Sequence, residues 1–548
     1  MSRILITSAL LYASSIPHLG NLVGCVLPAD VYFKYLRMKG EDAIFICGSD
    51  QHGTPTELAA VKKKIEPQQL ADEMHQTIKD LFDKYECTFT YYGKTHTPEN
   101  KQVVYSIFNE LYRNGYILET EDTQAYCNLD KRFLPDRFIQ GTCPYCKKRS
   151  ARGDQCDNCG KLLEPIQIID PFCAICGKSD ISFKKVKNLA LELNKLQDEI
   201  KEFIQKNAKN NWSKDALNKS LSMIKEGLKP RDITRSMKWG FPVPLPGYDH
   251  SVIYVWMDAL IGYIGITKEW DAEKWMNYWQ NEETRLIHFF GKDNTIFHTL
   301  MWPGMLIGSK LNFIMPYTIK ESQHLVSKTL KFSKSQGIGL DMKSALTVLP
   351  PDYWRFALMY MYPETADSEF TERALEEIVN TVMNDKIGNF VQRVLKLARS
   401  NSSLIEKDIN MKKEDAVAKA FKKYESAFDK LQLKRTIGAV VELAELGNEI
   451  MSKKEPWILA KKAKESMVHA NEFTKTFSTL ISIAYALGIM LYPFTPKASQ
   501  ELLGYFGITA EPDTKLLDEK INVDFSKDPK PLFQKMTSKE LEKLRKFS

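Results

Sequence analysis

The 548-residue sequence contains no apolar run long enough to cross a lipid bilayer, and it has no internal repeat or low-complexity tract. Its longest apolar stretch near the C-terminus, 481–494, is shorter than the roughly 20 helical residues of a membrane span and predicts a buried helix. Neither sign of charge is in large excess, because the net charge is only +7. Such a charge is compatible with an anionic partner without requiring one. We expect a globular protein of about three or four domains, without a membrane partner.

Cysteine is scarce, but its spacing is informative. Ten cysteines occur, and six of them form three Cys-x-x-Cys pairs, which is typical of metal thiolate sites in a reducing compartment. Two pairs can supply the ligands of a closed, structural zinc site: Cys143, Cys146, Cys156 and Cys159. The third pair could form a second site with an upstream cysteine and aspartate: Cys127, Asp130, Cys173 and Cys176. The alternative for this second group is an unmetallated or degraded site.

The N-terminal residues resemble a short secretory signal, because Arg3 is followed by the apolar run 4–13. The same residues continue directly into a polar turn at 18–21 and a helical pattern. They therefore predict the first strand of a nucleotide site and not a signal. Together with cysteine spacing typical of a reducing compartment, this makes the cytoplasm the expected location of the protein.

Short apolar strands and helical patterns alternate in the first part of the chain and again after residue 238. Strands are predicted at 3–8, 43–47, 252–256, 286–290 and 312–315, and helices at about 22–39, 55–65, 67–85, 99–114 and 294–307. This alternation indicates an α/β fold with a doubly wound parallel sheet of Rossmann type, and ligands at the carboxyl ends of its strands. The Cys-, Gly- and Pro-rich stretch between the halves predicts an inserted small domain. Apolar residues at three-four spacing from 371 to 506 predict a helical bundle.

Two polar segments lie where such a fold would bind a nucleotide. Residues 18–21 (His-Leu-Gly-Asn) follow the first predicted strand, and residues 331–335 (Lys-Phe-Ser-Lys-Ser) form a polar loop in the second half. Glycine lets the backbone approach phosphate, and His18, Lys331 and Lys334 can stabilise developing negative charge. Taken singly, a histidine at a helix start and a solvated lysine loop are the alternatives. The two segments together favour an enzyme that activates a carboxylate with ATP.

Aromatic and acidic residues near the same strand ends could enclose an amino acid, although a plain core is the alternative: Tyr12, Asp50, Trp256, Tyr263 and His298. In the predicted bundle, Asn389 and Arg393 are four residues apart and share a helix face, and Trp457 follows Pro456 at a helix start. Such residues can bond to or stack on unpaired bases. An ordinary solvated helix face is the alternative.

Several motifs in this order resemble those of methionyl-tRNA synthetase, a class I aminoacyl-tRNA synthetase. They lie at residues 4–10, 18–21, 45–50, 133–137, 254–259, 291–294 and 331–335, and the resemblance extends from about residue 3 to at least 500. The double cysteine-pair region and the lysine loop are more similar to the archaeal and eukaryotic branch than to the bacterial one.

The resemblance implies the following segments. They are the first half of a Rossmann-type catalytic domain (1–115), a connective insertion with zinc knuckles (116–235), the second catalytic half (236–320), a lysine-loop and stem-contact region (321–370), a helical anticodon-binding domain (371–510) and a charged C-terminal extension (511–548).

The resemblance also implies the chemistry of the site. His18, Lys331 and Lys334 would stabilise the charge that develops at the α-phosphate of ATP, and Mg²⁺ would neutralise the pyrophosphate. Residues implied to bind ATP are His18, Gly20, Asn21, Gly291, Asp293 and Lys334. Those implied to bind methionine are Leu10, Tyr12, Asp50, Trp256, Tyr263 and His298. Arg235 corresponds to an arginine near the active site, and the residues implied to read the CAU anticodon are Asn389, Arg393 and Trp457.

The implied partners are ATP, L-methionine and both initiator and elongator tRNA(Met), with one structural zinc ion or two. Without an appended dimerisation module, we expect a monomer. The sequence departs from the family pattern where Asn21 replaces a histidine, Gln336 replaces an arginine, and Leu11 and Leu260 replace prolines beside the methionine pocket. Because proline fixes φ, these two leucines could reshape the pocket walls. Two other functions are alternatives to an active methionyl-tRNA synthetase. One is a non-catalytic tRNA-binding paralogue, and the other is a synthetase for leucine or valine, which would need a larger editing insertion.

Overall fold

The structure is a computed structural model. It describes residues 3–135, 138–153, 156–159, 161, 163–327, 330–331, 339–405, 408–410, 415–463, 465–518, 520–524 and 526–545. Lys334 and Gln336 lie outside these ranges, and only the backbone of Lys331 is described.

The first part of the chain alternates strands and helices. Its strands are β1 (Ile4–Ser8), β2 (Leu11–Tyr12), β3 (Ala43–Asp50) and β4 (Tyr91–Lys94). Its helices are α1 (Leu19–Asn21), which continues through a π-helical turn (Leu22–Val26) into α2 (Leu27–Met38), followed by α3 (Thr54–Lys63), α4 (Pro67–Lys84) and α5 (Pro98–Arg113). Proline stands in the first turn of α2, α3, α4 and α5, where its missing N–H leaves no helical hydrogen bond unmade.

An insertion of mainly antiparallel strands follows. Its elements are β5 (Ile117–Cys127), β6 (Arg132–Phe133), β7 (Ile139–Thr142), β8 (Ala151–Arg152), β9 (Ile169–Cys173), β10 (Ile181–Leu191), α6 (Gln197–Asn207), α7 (Lys214–Glu226), β11 (Arg231–Asp232) and β12 (Thr234–Arg235). Strands β5 and β10 pair antiparallel along their whole length. Between them the chain forms the three-stranded sheet β8-β7-β9, which carries the cysteine pairs.

The α/β pattern then resumes. Its elements are β13 (Val252–Ile253), α8 (Val255–Trp270), α9 (Trp275–Trp279), β14 (Arg285–Gly291), a π-helical turn (Phe297–Met301), α10 (Trp302–Ser309), β15 (Pro316–Ser322), β16 (Leu325–Ser327), β17 (Leu330–Lys331), α11 (Met342–Ala345), α12 (Pro351–Tyr360) and β18 (Ser368–Glu369).

Both halves contribute strands to one parallel sheet, which confirms the predicted fold class. The order is β15-β14-β1-β3, and every pair in it is parallel. Strand β4 pairs with the other edge of β3, and β2 continues the line of β1 beside the last residues of β3. The residues of β1 are all buried, as expected for a central strand covered by helices on both faces.

The C-terminal part is helical, also as predicted. Its elements are α13 (Glu372–Glu377), a π-helical stretch (Ile378–Gly388), α14 (Asn389–Ser400), β19 (Asp408–Asn410), α15 (Asp415–Asp429), α16 (Leu433–Lys454), α17 (Pro456–Lys462), α18 (Met467–Leu491), α19 (Pro496–Gly504), β20 (Lys520–Asn522) and α20 (Ser538–Arg545). Helix α18 has 25 residues and is apolar enough to cross a membrane by length and composition, but 78% of its most apolar window is buried inside the protein. That burial is typical of a core helix.

Two predicted strands are wrong in detail. The strand predicted at 252–256 ends at Ile253, and α8 begins at Val255, because the following apolar residues recur at helical spacing. The strand predicted at 312–315 begins later, at Pro316. Lys310 and Asn312 adopt left-handed backbone angles, with φ of 56° at each, so the chain turns there before it can enter the sheet.

Candidate active site

A cavity of about 830 Å³ opens at the carboxyl ends of β1 and β14. Seven residues singled out in the sequence line it: Leu10, Tyr12, His18, Gly20, Asn21, Gly291 and Asp293. These residues come from both halves of the split sheet, whose neighbouring strands β1 and β14 pair residues 281 positions apart in the chain, as Ile4 with Arg285. The sheet topology therefore brings the two halves of the predicted nucleotide site together.

The turn after β2 is fixed by a reciprocal pair of hydrogen bonds. The backbone N–H of Asn21 donates to Nδ1 of His18 at 3.1 Å, and the backbone N–H of His18 donates to Oδ1 of Asn21 at 3.1 Å. This arrangement is a capping box at the start of α1. Since Nδ1 accepts, the neutral imidazole carries its proton on Nε2. The backbone N–H of Asn21 thus sets the ring orientation of His18, and the Asn21 side chain closes the turn by accepting the His18 backbone N–H.

The residues that flank the lysine loop approach the same turn. The N–H of Leu19 donates to the carbonyl of Leu340 at 3.0 Å, and the N–H of Met342 donates to the carbonyl of Pro17 at 2.8 Å. On the other side, β17, which contains the backbone of Lys331, pairs with β16. The described end that follows the lysine segment is therefore attached beside His18, and the β16 strand that pairs with β17 contributes Leu325 to the lining of the same cavity.

Tyr263 and His298 form a buried pair next to β14. His298 Nδ1 lies 3.0 Å from the carbonyl of Asn294 and must donate to it, so Nε2 accepts the Tyr263 hydroxyl at 3.0 Å. Burial lowers the pKa of His298 to about 4, which keeps the ring neutral at pH 7. Nearby, the Trp256 ring stacks on Phe297 with centroids 3.6 Å apart. These four side chains, called the aromatic wall below, join α8 to the π-helical turn Phe297–Met301, and none of them is among the described residues that line the cavity of about 830 Å³.

Asp50 is a buried carboxyl group at the end of β3. Burial, and then the neighbouring Asp258, raise the pKa of Asp50 well above its usual value. Its Oδ1 accepts the backbone N–H of His52 at 3.3 Å. A carboxylate in such a place gains most from a cation that enters with a ligand, because the cation offsets both burial and the second negative charge.

A chain of three polar side chains beside Asp50 was not predicted. Asp258 Oδ2 lies 2.8 Å from His52 Nδ1, and His52 Nε2 lies 2.8 Å from His96 Nδ1. Asp258 and His52 are both buried. A sequence signal was present, because His52 lies two residues after the segment 45–50 and Asp258 lies within the segment 254–259, but nothing in the spacing indicates that they meet.

Arg235 lies on β12, which pairs with β13 ahead of Tyr254 and Trp256. Its guanidinium carbon is 4.7 Å from the centroid of the Tyr254 ring, and Nη1 lies 3.2 Å from Asp232. The predicted arginine is therefore adjacent to the aromatic wall.

The first cysteine cluster has the dimensions of a tetrahedral metal site. The ligand atoms of Cys143, Cys146, Cys156 and Cys159 all lie within 4.8 Å of one another. Two of the sulfur–sulfur distances are 3.6 and 3.9 Å. Four sulfurs about 2.3 Å from a central zinc ion would lie about 3.8 Å apart, so the residues present fit that ion. The same distances are too long for disulfide bonds.

The four residues of the possible second metal site also lie together. Cys127, Asp130, Cys173 and Cys176 also place their ligand atoms within 4.8 Å of one another. The sulfurs of Cys127 and Cys176 are 3.7 Å apart, and Cys173 Sγ lies 3.0 Å from Asp130 Oδ2. A carboxylate oxygen is an acceptable fourth ligand for zinc, so this group can hold a metal too.

On the helical part, Arg393 and Trp457 are neighbours. The guanidinium carbon of Arg393 is 5.4 Å from the centroid of the Trp457 ring, which is 39% exposed. Asn389 begins α14, and its amide donates to Asp385 at 3.1 Å. Lys535, from the C-terminal segment, forms an ion pair with the same carboxylate at 2.9 Å. Two of the three predicted base-contacting residues thus form one partly exposed surface.

Comparison with known families gives matches along the chain. Residues 4–395 match the family described as tRNA synthetases class I (M), and residues 404–548 match the anticodon binding domain of methionyl tRNA ligase. The chain is 40% identical over 554 residues to the methionine–tRNA ligase of Ignicoccus hospitalis, covering 99% of this chain and 97% of the relative. It is 39% identical to that of Caldivirga maquilingensis, covering 98% and 92%.

Solved structures show the same fold. The methionyl-tRNA synthetase of Mycobacterium tuberculosis, bound by methionyl-adenylate, aligns with 97% of this chain and 100% of its own at a TM-score of 0.78. Its sequence identity is 19%, so this likeness concerns the architecture alone.

Proposed function

Because this chain belongs to the methionyl-tRNA synthetase family, we propose that the cavity of about 830 Å³ is the active site of a methionine–tRNA ligase. The enzyme joins ATP and methionine to give methionyl-adenylate and pyrophosphate, and then transfers the methionyl group to the 3′ end of tRNA(Met). The observation that carries the site assignment is the convergence of His18, Gly291 and Asp293 with Leu10 and Tyr12 on one cavity.

In the first step, a carboxylate oxygen of methionine attacks the α-phosphorus of ATP, and the bond to the pyrophosphate oxygen breaks. No covalent bond to the enzyme is needed, so catalysis consists of positioning and charge stabilisation. His18, oriented by Asn21, directs Nε2–H towards the phosphate oxygens, and Lys331 and Lys334 neutralise the charge that develops there. Mg²⁺ bound with ATP supplies further charge neutralisation on the pyrophosphate.

Methionine would bind between the buried carboxyl group and the aromatic wall. Asp50 accepts the ammonium group, which restores the ionised form that burial disfavours. The neutral Tyr263–His298 pair and the stacked Trp256 enclose the side chain, and Arg235 stands at its edge. A neutral histidine is important here, because an imidazolium would be poorly solvated against a thioether.

Anticodon reading is assigned to Asn389, Arg393 and Trp457. An exposed tryptophan offers a stacking surface for an unpaired base, and the arginine against it can bond to a base edge. We assign both initiator and elongator tRNA(Met) to this surface, since both carry the CAU anticodon that the family reads.

We propose zinc at the cluster formed by Cys143, Cys146, Cys156 and Cys159, and a second zinc ion at the cluster that contains Asp130. A bound zinc ion would supply structural cross-links only, because all four ligands come from the protein and no position remains for a substrate. The protein is proposed to act as a cytoplasmic monomer. We further propose the domain boundaries expected from the sequence, which are supported by the position of both metal clusters within 116–235.

The test is methionine-dependent exchange of pyrophosphate into ATP, with a panel of other amino acids and the Lys334→Ala variant. We expect exchange with methionine alone and a large loss in the variant. Absence of exchange with any amino acid, while tRNA still binds, would contradict the proposal.

A further inference from the structure

The chain of three polar side chains beside Asp50 has no part in the chemistry proposed above. Asp258 lies in the first turn of α8, His52 follows the end of β3, and His96 follows the end of β4. Three separate segments are thus joined next to the carboxylate that is proposed to receive the methionine ammonium group. Since a buried polar network is costly unless its members are bonded, we expect this one to serve the site.

The imidazole of His52 is fixed at both ring nitrogens. When Asp258 is ionised, its carboxylate can only accept, so Nδ1 of His52 donates to Oδ2 at 2.8 Å. Nε2 of His52 lies 2.8 Å from Nδ1 of His96. Two aromatic rings pack edge-on against the imidazole, with centroids 5.2 Å away for Trp239 and 4.8 Å away for Phe241. The ring of His52 therefore has little freedom to rotate.

The peptide group between Gln51 and His52 is fixed on both of its sides. Its carbonyl oxygen accepts the Nε1–H of Trp239 at 2.6 Å, and its N–H donates to Oδ1 of Asp50 at 3.3 Å. The preceding N–H, that of Gln51, donates to the hydroxyl of Thr95 at 3.0 Å. A bond from a fixed N–H favours the ionised carboxylate and selects one direction for it. Because the His52 side chain directly follows this peptide, its anchoring controls where the N–H points.

Asp258 depends on His52 for its own stabilisation. It is fully buried, and its Oδ1 has no hydrogen-bond partner among the residues that the structure describes. Burial raises the pKa of Asp258, and the adjacent His52 opposes that shift. Since Asp258 also disfavours the charge on Asp50, the proton that His52 places against Asp258 reduces the repulsion between the two carboxylates. At the outer end of the chain, burial, and then His52, lower the pKa of His96 to about 4, so that ring is neutral at pH 7.

We propose that the Asp258–His52–His96 chain is a positioning network for Asp50. It anchors the His52 ring from α8 on one side and from the end of β4 on the other, and so keeps the backbone N–H of His52 on Oδ1 of Asp50. The carboxylate is then already oriented when the ammonium group of the amino acid arrives. None of the three side chains has to touch substrate, so their effect reaches the reaction through Asp50. This inference rests on the function proposed above, and it names the residues that set the affinity of that site for its amino acid.

The first experiment separates affinity from turnover. In His52→Ala, the KM for methionine in pyrophosphate exchange should rise about tenfold, whereas kcat and the KM for ATP should stay within about twofold of wild type. His52→Asn should recover most of the affinity, because the asparagine amide can donate to Asp258 from the place of Nδ1. A general loss of packing would instead lower kcat and weaken the binding of both substrates, and this result would overturn the proposal.

His75 supplies the matched control. It also bonds to a side chain of β3, with Nδ1 2.8 Å from the hydroxyl of Ser49, and its ring stacks on Tyr92. Successive side chains of a strand point to opposite faces, so His75 contacts the face of β3 opposite to Asp50. His75→Ala should leave kcat and both KM values unchanged. A rise in the KM for methionine equal to that in His52→Ala would count against the proposal, since any histidine beside β3 would then have the same effect.

Combination with Asp50→Asn shows whether the network acts through Asp50. In the Asp50→Asn background, His52→Ala should raise the KM for methionine by no more than about twofold further, because effects transmitted through one group are not additive. Full multiplication of the two single effects would overturn the proposal. If His52→Ala does not fold, His96→Ala replaces it, since it leaves the bond between Asp258 and His52 in place. Its KM for methionine should then rise about threefold, with the same separation from kcat and from the KM for ATP.

A binding measurement supplies a readout that does not depend on turnover. Methioninol keeps the ammonium group, so calorimetric titration should show for it the same loss of affinity in His52→Ala as the KM for methionine does. The analogue of methionine that lacks the amino group should bind wild type and variant equally, because it offers nothing to Asp50. Equal losses for both analogues would overturn the proposal. Absence of exchange with every amino acid in the wild type would instead contradict the proposed function itself.

Discussion

The sheet region carries a different kind of site from the two regions attached to it, which are the metal-binding insertion and the helical region. In the sheet region, the polar side chains of the site are held by internal hydrogen bonds, which are buried in the Tyr263–His298 pair and half-buried in the capping box of His18. In the helical region, Arg393 and Trp457 are at the surface, supported by one cation–π contact. A protein can enclose a small substrate, whereas it must bind a tRNA on its surface. Changes in the sheet region should therefore affect adenylate formation, and changes in the attached regions should affect tRNA.

The largest expected effect comes from loss of metal in the insertion. With zinc at both clusters, as proposed above, Cys146→Ser should remove one zinc ion and Cys176→Ser the other. Each loss should weaken the fold locally by several kcal/mol, because structural zinc contributes on the order of 10 kcal/mol. Metal analysis and limited proteolysis measure the outcome. Retention of full zinc content in Cys176→Ser would show that the cluster with Asp130 holds no metal.

The next largest effect is expected from a change in the turn that carries His18. His18→Ala should lower the rate of methionine-dependent pyrophosphate exchange about 10²- to 10³-fold, as is typical when one preorganised donor to a developing charge is removed. The affinity for tRNA should not change, and gel-shift titration checks this. A similar loss of tRNA affinity would contradict the separation of the two regions.

The third effect is on methionine binding. Asp50→Asn keeps the size of the side chain but removes the charge that pairs with the ammonium group. The KM for methionine should rise about 10- to 100-fold, since hydrogen bonds to charged groups contribute about 1.5–3 kcal/mol. The KM for ATP is the internal control and should change much less. Equal changes in both would show that Asp50 has a general structural role.

The fourth effect tests the helical surface. Trp457→Ala should lower kcat/KM for aminoacylation about 5- to 100-fold, because stacking on one base contributes about 1–3 kcal/mol. Pyrophosphate exchange should stay at the wild-type rate. Met276→Ala removes a more exposed apolar side chain, 50% against 39% for Trp457, from the sheet region and should leave aminoacylation unchanged.

The smallest effect is a pH dependence of stability. The pKa of His298 is about 4 in the folded protein, below the usual value near 6.5 of an exposed histidine. The unfolded chain therefore binds this proton more readily, and stability is retained above pH 6.5 and lost as the pH falls towards 4. Between pH 7 and pH 5.5 the loss should be about 1 kcal/mol. His298→Asn should lose that much less, as measured by urea unfolding of both proteins at the two pH values.

Much of this organisation could be predicted from the sequence, because it depends on local patterns. The alternation of strands and helices, the cysteine pairs and the position of His18 before a helix are all short-range features. Even the partnership of Cys127 and Asp130 with a distant cysteine pair followed from ligand chemistry. The predicted strand that became the start of α8 shows the limit, since an apolar run of five residues suits either structure.

Contacts between distant segments that share no metal-ligand chemistry could not be predicted. The bond between His52 and Asp258 joins residues 206 positions apart, and its existence depends on how β3 and α8 pack. Gln140 and Arg152 look like ordinary polar residues of a small sheet until the packing of the insertion on α3 places them at the cavity. Residue chemistry thus identifies the kind of site, whereas tertiary packing decides which further residues belong to it.

We infer that the sheet region forms the adenylate and that the helical region receives the tRNA. Single-turnover measurements of adenylate formation and of methionyl transfer should separate the two regions, for wild type, His18→Ala and Trp457→Ala. Adenylate formation should be slow in His18→Ala only, whereas Trp457→Ala should use tRNA poorly and form the adenylate at the normal rate. Equal slowing of adenylate formation in both variants would show that the two regions do not act separately.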